Sequence, residues 1–102
     1  GMGADGHTLS LFPNNPRTLW NAPDTWCIPA TAPAPFEVAS RVTVTLPFVS
    51  LCRHRLFLVA GADKASAVAA CHSRHSSALP LPAALVNDAH WIIDRAAAAA
   101  LQ

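Results

Sequence analysis

The feature that most restricts the fold is the stretch Arg55-Leu56-Phe57-Leu58-Val59-Ala60, which is apolar from Leu56 onward and runs directly into Gly61. An uninterrupted apolar run of this length, stopped by glycine, predicts a central β-strand covered on both faces, as in parallel sheets. A parallel neighbour requires a crossover, usually a helix. The sequence offers one at once: Asp63 is placed to cap a helix from Lys64 to about His72, with Ala67, Val68 and Cys71 on one stripe.

The flanking segments extend this pattern. Arg41 to Leu46 alternates strictly, with Val42, Val44 and Leu46 expected to face inward and Arg41, Thr43 and Thr45 outward. Pro47 suits the first turn of a short helix reaching about Cys52. Six of the nine prolines lie between Pro13 and Pro35, so that region reads as loop around one strand, Thr25 to Ile28, bounded by Asp24 and Pro29. Residues Gly1 to Gly6 read as a loop, and His7 to Phe12 are compatible with a helical turn that Pro13 stops. Ser73 to Pro82 reads as loop. Ala89 to Ile93 suits a last strand, after which Asp94 caps a helix from Arg95 to Leu101; a continuous helix from Asp88 competes with that reading. Strands separated by helices imply an α/β architecture with a largely parallel sheet.

Composition narrows the function classes. The 102 residues are 52% hydrophobic and only 13% charged, about half the usual charged share. Either some apolar surface packs against protein outside this sequence, or the chain reflects an alanine-rich composition. A net charge of +1 with scattered arginines leaves no electrostatic footprint for nucleic acid or an anionic membrane. No apolar run approaches the roughly 20 residues of a membrane span. Cys27, Cys52 and Cys71 form no C-x-x-C and are expected to be reduced and buried, which points to a cytoplasmic protein.

Two motifs invite a chemical reading and fail on context. Gly1-Met2-Gly3-Ala4-Asp5-Gly6 matches G-x-G-x-x-G, but a dinucleotide site needs a long helix after the third glycine, and Pro13 and Pro16 break the chain early. His72-x-x-His75 lacks companions at metal-ligand spacing, so surface histidines are expected and no metal is implied. What remains is local: glycines that let backbone approach a ligand, and Asp5 two residues before His7, placed to orient an imidazole. A neutral histidine is a natural base for activating water near pH 7. Backbone N–H groups at a following helix start are expected to face an anion.

Over positions 1 to 13 the sequence Gly-Met-Gly-Ala-Asp-Gly-His-Thr-Leu-Ser-Leu-Phe-Pro closely resembles the signature of the 6-phosphogluconolactonase family. The related glucosamine-6-phosphate deaminases share Asp-Gly-His but continue differently, so Ser10-Leu11-Phe12-Pro13 favours the lactonase branch. Gly61-Ala62-Asp63-Lys64-Ala65 resembles the family turn that brings a lysine to the substrate phosphate. Arg41-Val42-Thr43-Val44-Thr45 and His90-Trp91-Ile92-Ile93-Asp94 resemble two of its strands. Leu9, where the family has a small residue, is expected to crowd local packing, and Ala34 stands where it usually has a lysine.

The resemblance implies part of a largely parallel, Rossmann-like three-layer α/β sandwich, with the N-terminal strands missing and residues 1–102 forming the C-terminal half of one domain. It implies hydrolysis of 6-phospho-D-glucono-1,5-lactone without a cofactor or metal. His7 and Asp5 are the implied catalytic residues, and Gly3, Gly6, Lys64 and Arg41 the implied substrate or phosphate contacts. The implied partners are the sugar-phosphate lactone and the missing N-terminal half. An amino-sugar-phosphate isomerase or deaminase, or a non-catalytic sugar-phosphate-binding remnant, are the competing classes.

Overall fold

The computed structural model describes residues 1–74 and 79–102. In chain order it contains helix α1 (Arg17–Trp20), strands β1 (Cys27–Thr31) and β2 (Ser40–Val44), helix α2 (Leu46–Ser50), strand β3 (Leu56–Val59), helix α3 (Ala65–His72) and strand β4 (His90–Ile93). Short 3-10 turns cover Ala62–Lys64 and Pro82–Leu85. Strands β3 and β4 pair in parallel, with Phe57 beside Trp91 and Val59 beside Ile93. Strands β1 and β2 form a separate antiparallel ribbon. The α/β class with a parallel sheet is therefore as the sequence implies.

The parallel pair follows from its residues. Phe57 and Val59 point to one face and pack with Met2, Ala67, Val68, Ala83 and Ala97 into the main core. Phe57 stacks on Trp91 at 4.1 Å, a contact worth about 0.5–1.5 kcal/mol beyond its buried area. Helix α3 supplies the crossover and buries Ala67 and Val68, with Cys71 partly buried on the same stripe, as its sequence predicts. A second cluster holds Leu11, Trp20 and Leu46. At 1% exposure, Trp20 ties the proline-rich region to α2, and Trp20→Ala would cost about 3–5 kcal/mol.

Several expectations need correction. Strand β3 is covered on one face only: Leu56, Leu58 and Ile92 are 55%, 61% and 57% exposed. Strand β1 passes through Pro29 rather than stopping there, because β1 pairs only with β2 and an edge strand tolerates a residue without N–H. His7 to Phe12 is not helical: Leu9 adopts φ 54°, and Leu11 N–H closes a turn on the Thr8 carbonyl. Leu9 is exposed, and its left-handed backbone costs of order 1–3 kcal/mol. Asp63 caps no helix; the chain first makes the 3-10 turn, and Asp63 pairs with Lys64. Ala89 to Ile93 resolves as a strand, not a helix from Asp88. Asp94 does accept from Ala97 N–H at 2.7 Å, yet residues 95–100 form successive turns instead of a regular helix.

The inward face of β2 is the opposite of the expected one. Thr43 and Thr45 are buried, whereas Val42 is 76% exposed. The hydroxyls explain the choice. Thr43 Oγ1 accepts the Ser10 N–H at 3.1 Å, and Thr45 Oγ1 donates to the Thr25 carbonyl at 2.6 Å. Buried backbone groups must be paired, and two threonines on that face do the pairing. Thr45 Oγ1 also accepts from Phe48 N–H and so caps α2.

All three cysteines are unpaired, but Cys27 and Cys52 are exposed rather than buried. Burial pushes the Cys71 thiol up to about 11. At pH 8 an alkylating reagent should therefore modify Cys27 and Cys52 while leaving Cys71 protonated and protected, with Cys71 labelled only after denaturation. Mass spectrometry of the labelled chain reads this directly, and Cys71 labelling at the rate of the other two would contradict its burial.

Candidate active site

The glycine-rich N-terminal segment is a closed turn in which the Gly3 and Gly6 amides are used internally. Gly3 N–H donates to the His7 carbonyl at 2.9 Å, and Gly6 N–H to the Gly3 carbonyl at 3.0 Å. The turn is anchored by Met2, buried in the main core, and by Ala83 N–H, which donates to the Gly6 carbonyl. Two glycines have specific reasons to be there. A Cβ on Gly3 would lie 2.2 Å from the His7 ring and 2.6 Å from Asp5 Oδ1; Gly6 adopts φ 83° with its open side against Leu81. The absent side chain of Gly3 is the space that the imidazole occupies.

Asp5 and His7 form a tight pair. Asp5 Oδ1 lies 2.6 Å from His7 Nδ1 and also accepts the His7 N–H at 3.1 Å. A carboxylate can only accept, so this geometry assigns the proton of a neutral ring to Nδ1 and leaves Nε2 as a lone-pair acceptor. The His7 side chain is 18% exposed, enough to reach a bound molecule yet mostly shielded.

The ring is also packed between aromatics. Phe12, fully buried, lies 4.6 Å from it, and Phe36, from the segment joining β1 and β2, meets it edge-on at 5.4 Å. Arg41 sits over both phenyl rings, at 6.0 and 5.7 Å, with its Nε donating to the Val38 carbonyl at 2.8 Å. Arg41 shares the inner face of β2 with Thr43, so the same reversal that buries the threonines brings the guanidinium against the Phe12 and Phe36 rings that flank the histidine. Asp5, Gly3, Gly6 and His7 thus form one constellation, and Arg41 adjoins it through those two rings. Phe36 carries no sequence signal for this position; Phe12 lies inside the N-terminal motif but has no reactive group to mark it.

Lys64 comes from a different part of the fold. It follows β3 at the C-terminal end of the parallel pair, where open α/β sheets bind ligands. Its ammonium lies 3.4 Å from Asp63, and no hydrogen bond or ion pair joins it to Asp5 or His7. Beside it, Asp94 accepts the Gly61 N–H with both carboxylate oxygens at 3.2 Å, tying the ends of β3 and β4 together. His72 is structural: its Nδ1 lies 2.9 Å from the Val68 carbonyl and its ring meets Trp91 edge-on. His75, the other half of that motif, lies outside the described residues.

With this geometry, comparison with known proteins is informative. The family model described as glucosamine-6-phosphate isomerases/6-phosphogluconolactonase matches residues 1–94. The chain belongs to this family. Among curated relatives, the 6-phosphogluconolactonase of Mycobacterium tuberculosis is 38% identical over 99% of this chain, and the human 6-phosphogluconolactonase 38% identical over 96%. Among solved structures, the devB protein matches with a TM-score of 0.79 at 33% identity over 96% of this chain and 41% of its own. The 6-phosphogluconolactonase of Trypanosoma brucei matches in fold, with a TM-score of 0.84 at 21% identity over 99% of this chain and 40% of its own. The chain spans 40% of the mycobacterial relative and 38% of the human one. No helix of the family member described here is long and apolar enough to cross a membrane, among the described residues.

Proposed function

We propose that this chain carries the general base of a 6-phosphogluconolactonase, which hydrolyses 6-phospho-D-glucono-1,5-lactone to 6-phospho-D-gluconate. The observation that carries the reading is the 2.6 Å contact between Asp5 and His7 Nδ1, which leaves His7 Nε2 free. Nε2 takes a proton from water as the water oxygen attacks the lactone carbonyl carbon. The tetrahedral intermediate collapses by breaking the bond between that carbon and the ring oxygen. The imidazolium returns its proton to the departing ring oxygen, and the new carboxylic acid ionises. Asp5 holds the tautomer and stabilises the imidazolium. Gly3 and Gly6 serve by shape, since their N–H groups are engaged within the turn.

Lys64 and Arg41 are read as the anchors for the phosphate. Each is a cation whose protein contacts leave capacity for an anion: Lys64 faces a single carboxylate, and the Arg41 terminal nitrogens have no protein partner among the described residues. Lys64→Ala should raise KM for the phosphorylated lactone by about tenfold, with a much smaller change in kcat, because an anchor acts in ground state and transition state alike. Steady-state kinetics on phosphorylated and unphosphorylated lactone separate the roles, and equal effects on both would remove Lys64 from phosphate binding.

The remaining partner is the rest of the family domain. The chain spans 40% of the mycobacterial relative, and the bare face bearing Leu56, Leu58 and Ile92 is what a parallel sheet ordinarily covers. That further segment is read as covering this face and completing the site. Three unpaired cysteines favour the cytoplasm as the compartment. The test of the activity is a paired assay of the full-length protein. Acid release from the lactone above the spontaneous rate, with no ammonia release from glucosamine 6-phosphate, supports the reading; the reverse outcome places the protein in the deaminase branch.

A further inference from the structure

We propose that Phe36 is a positioning residue that sets His7 and Arg41 together. The inference rests on the lactonase reading for its catalytic consequence, while its structural part stands alone. Phe36 lies in an exposed segment between β1 and β2 and is itself 38% exposed, so core packing alone does not account for it. Its ring nevertheless makes three aromatic contacts: edge-on to His7 at 5.4 Å, tilted on Phe12 at 5.5 Å, and under the Arg41 guanidinium at 5.7 Å.

Each contact restrains a different freedom. Asp5 fixes one edge of the imidazole but leaves the ring free to pivot about that bond. Phe12 meets the ring at 38° from one side, and Phe36 meets it at 90° from another. Together they define the ring plane and therefore the direction of the Nε2 lone pair. For Arg41, the Val38 carbonyl holds Nε, and the two phenyl rings hold the plane of the guanidinium. Phe36 thus touches both the base and Arg41, and moving it would misdirect both. A small misplacement of a catalytic group is costly in rate without any loss of stability.

The test uses the full-length protein with Phe36→Leu and Phe36→Tyr. Leucine keeps bulk but removes the aromatic ring; tyrosine restores the ring at a position exposed enough to accept its hydroxyl. Phe36→Leu should lower kcat by about tenfold with an unchanged melting temperature, and Phe36→Tyr should recover most of that loss. In parallel, NMR of selectively labelled histidine, with His7 assigned by its loss in His7→Gln, should show the nuclear Overhauser contacts between the His7 and Phe12 rings changing in Phe36→Leu and returning in Phe36→Tyr. If Phe36→Leu keeps both kcat and the His7–Phe12 contacts, or if tyrosine fails to restore either, the proposal is wrong. Should the protein prove to lack lactonase activity, the NMR comparison still decides whether Phe36 orients the ring, which separates failure of this inference from failure of the functional reading.

Discussion

Replacing His7 by alanine in the full-length protein should lower lactone turnover by about two to four orders of magnitude, the usual worth of a positioned base. Among the described residues the titratable side chain in contact with His7 is Asp5, which faces Nδ1 and not Nε2. Because Asp5 acts through His7, Asp5→Asn should fall on the same step with a smaller loss, and the double variant should be little worse than His7→Ala alone. Gly3→Ala should resemble His7→Ala despite touching no reacting atom, since the new methyl group would take the place of the imidazole. Lactone hydrolysis is spontaneous, so the measurement is the enzymatic rate above that background. Turnover of His7→Ala within about threefold of the parent would take His7 out of the mechanism.

The second large effect concerns the 102-residue chain by itself, which should show no lactonase activity above background and should self-associate. Leu56, Leu58 and Ile92 present an apolar sheet face to solvent, and covering each of them is worth about 1.5–3 kcal/mol. Val42 on the other ribbon is barer still. Strands with unpaired edges template pairing with further copies, and a chain with 13% charged residues has little to oppose it. Light scattering after size exclusion should find oligomers or aggregate, and calorimetry a broad, low-temperature transition. A monodisperse monomer that melts sharply and hydrolyses the lactone would show that these residues form a complete catalytic domain.

What the sequence determined by itself was local and covalent. The N-terminal motif carries the Asp5–His7 pair two residues apart, close enough in sequence for the turn that Gly3 and Gly6 permit to bring carboxylate and ring together. The run Leu56 to Ala60 signalled a buried strand, because a five-residue apolar run stopped by Gly61 is too short for a helix of ordinary length and of strand length. The stripe of α3 was legible for the same reason: its period is set by helical geometry alone.

Only the tertiary structure decided which face of β2 turns inward. Hydrophobicity argued for Val42 and Val44, and the fold chose Arg41, Thr43 and Thr45. The Ser10 amide and the Thr25 carbonyl needed partners, and a buried unpaired backbone group costs more than an exposed valine. Leu46, beyond the strand in α2, still reached the core, but a strand has a period of two, so that single choice set the side of every residue within β2. It carried Arg41 to the aromatic cluster around His7 and left Val42 in solvent. Phe36 was equally illegible, because its role depends on a loop folding back across 29 residues of chain to meet His7, and nothing in its neighbours' composition records that contact. Periodicity reports which residues can share a face; the partners waiting on each side decide which face is buried.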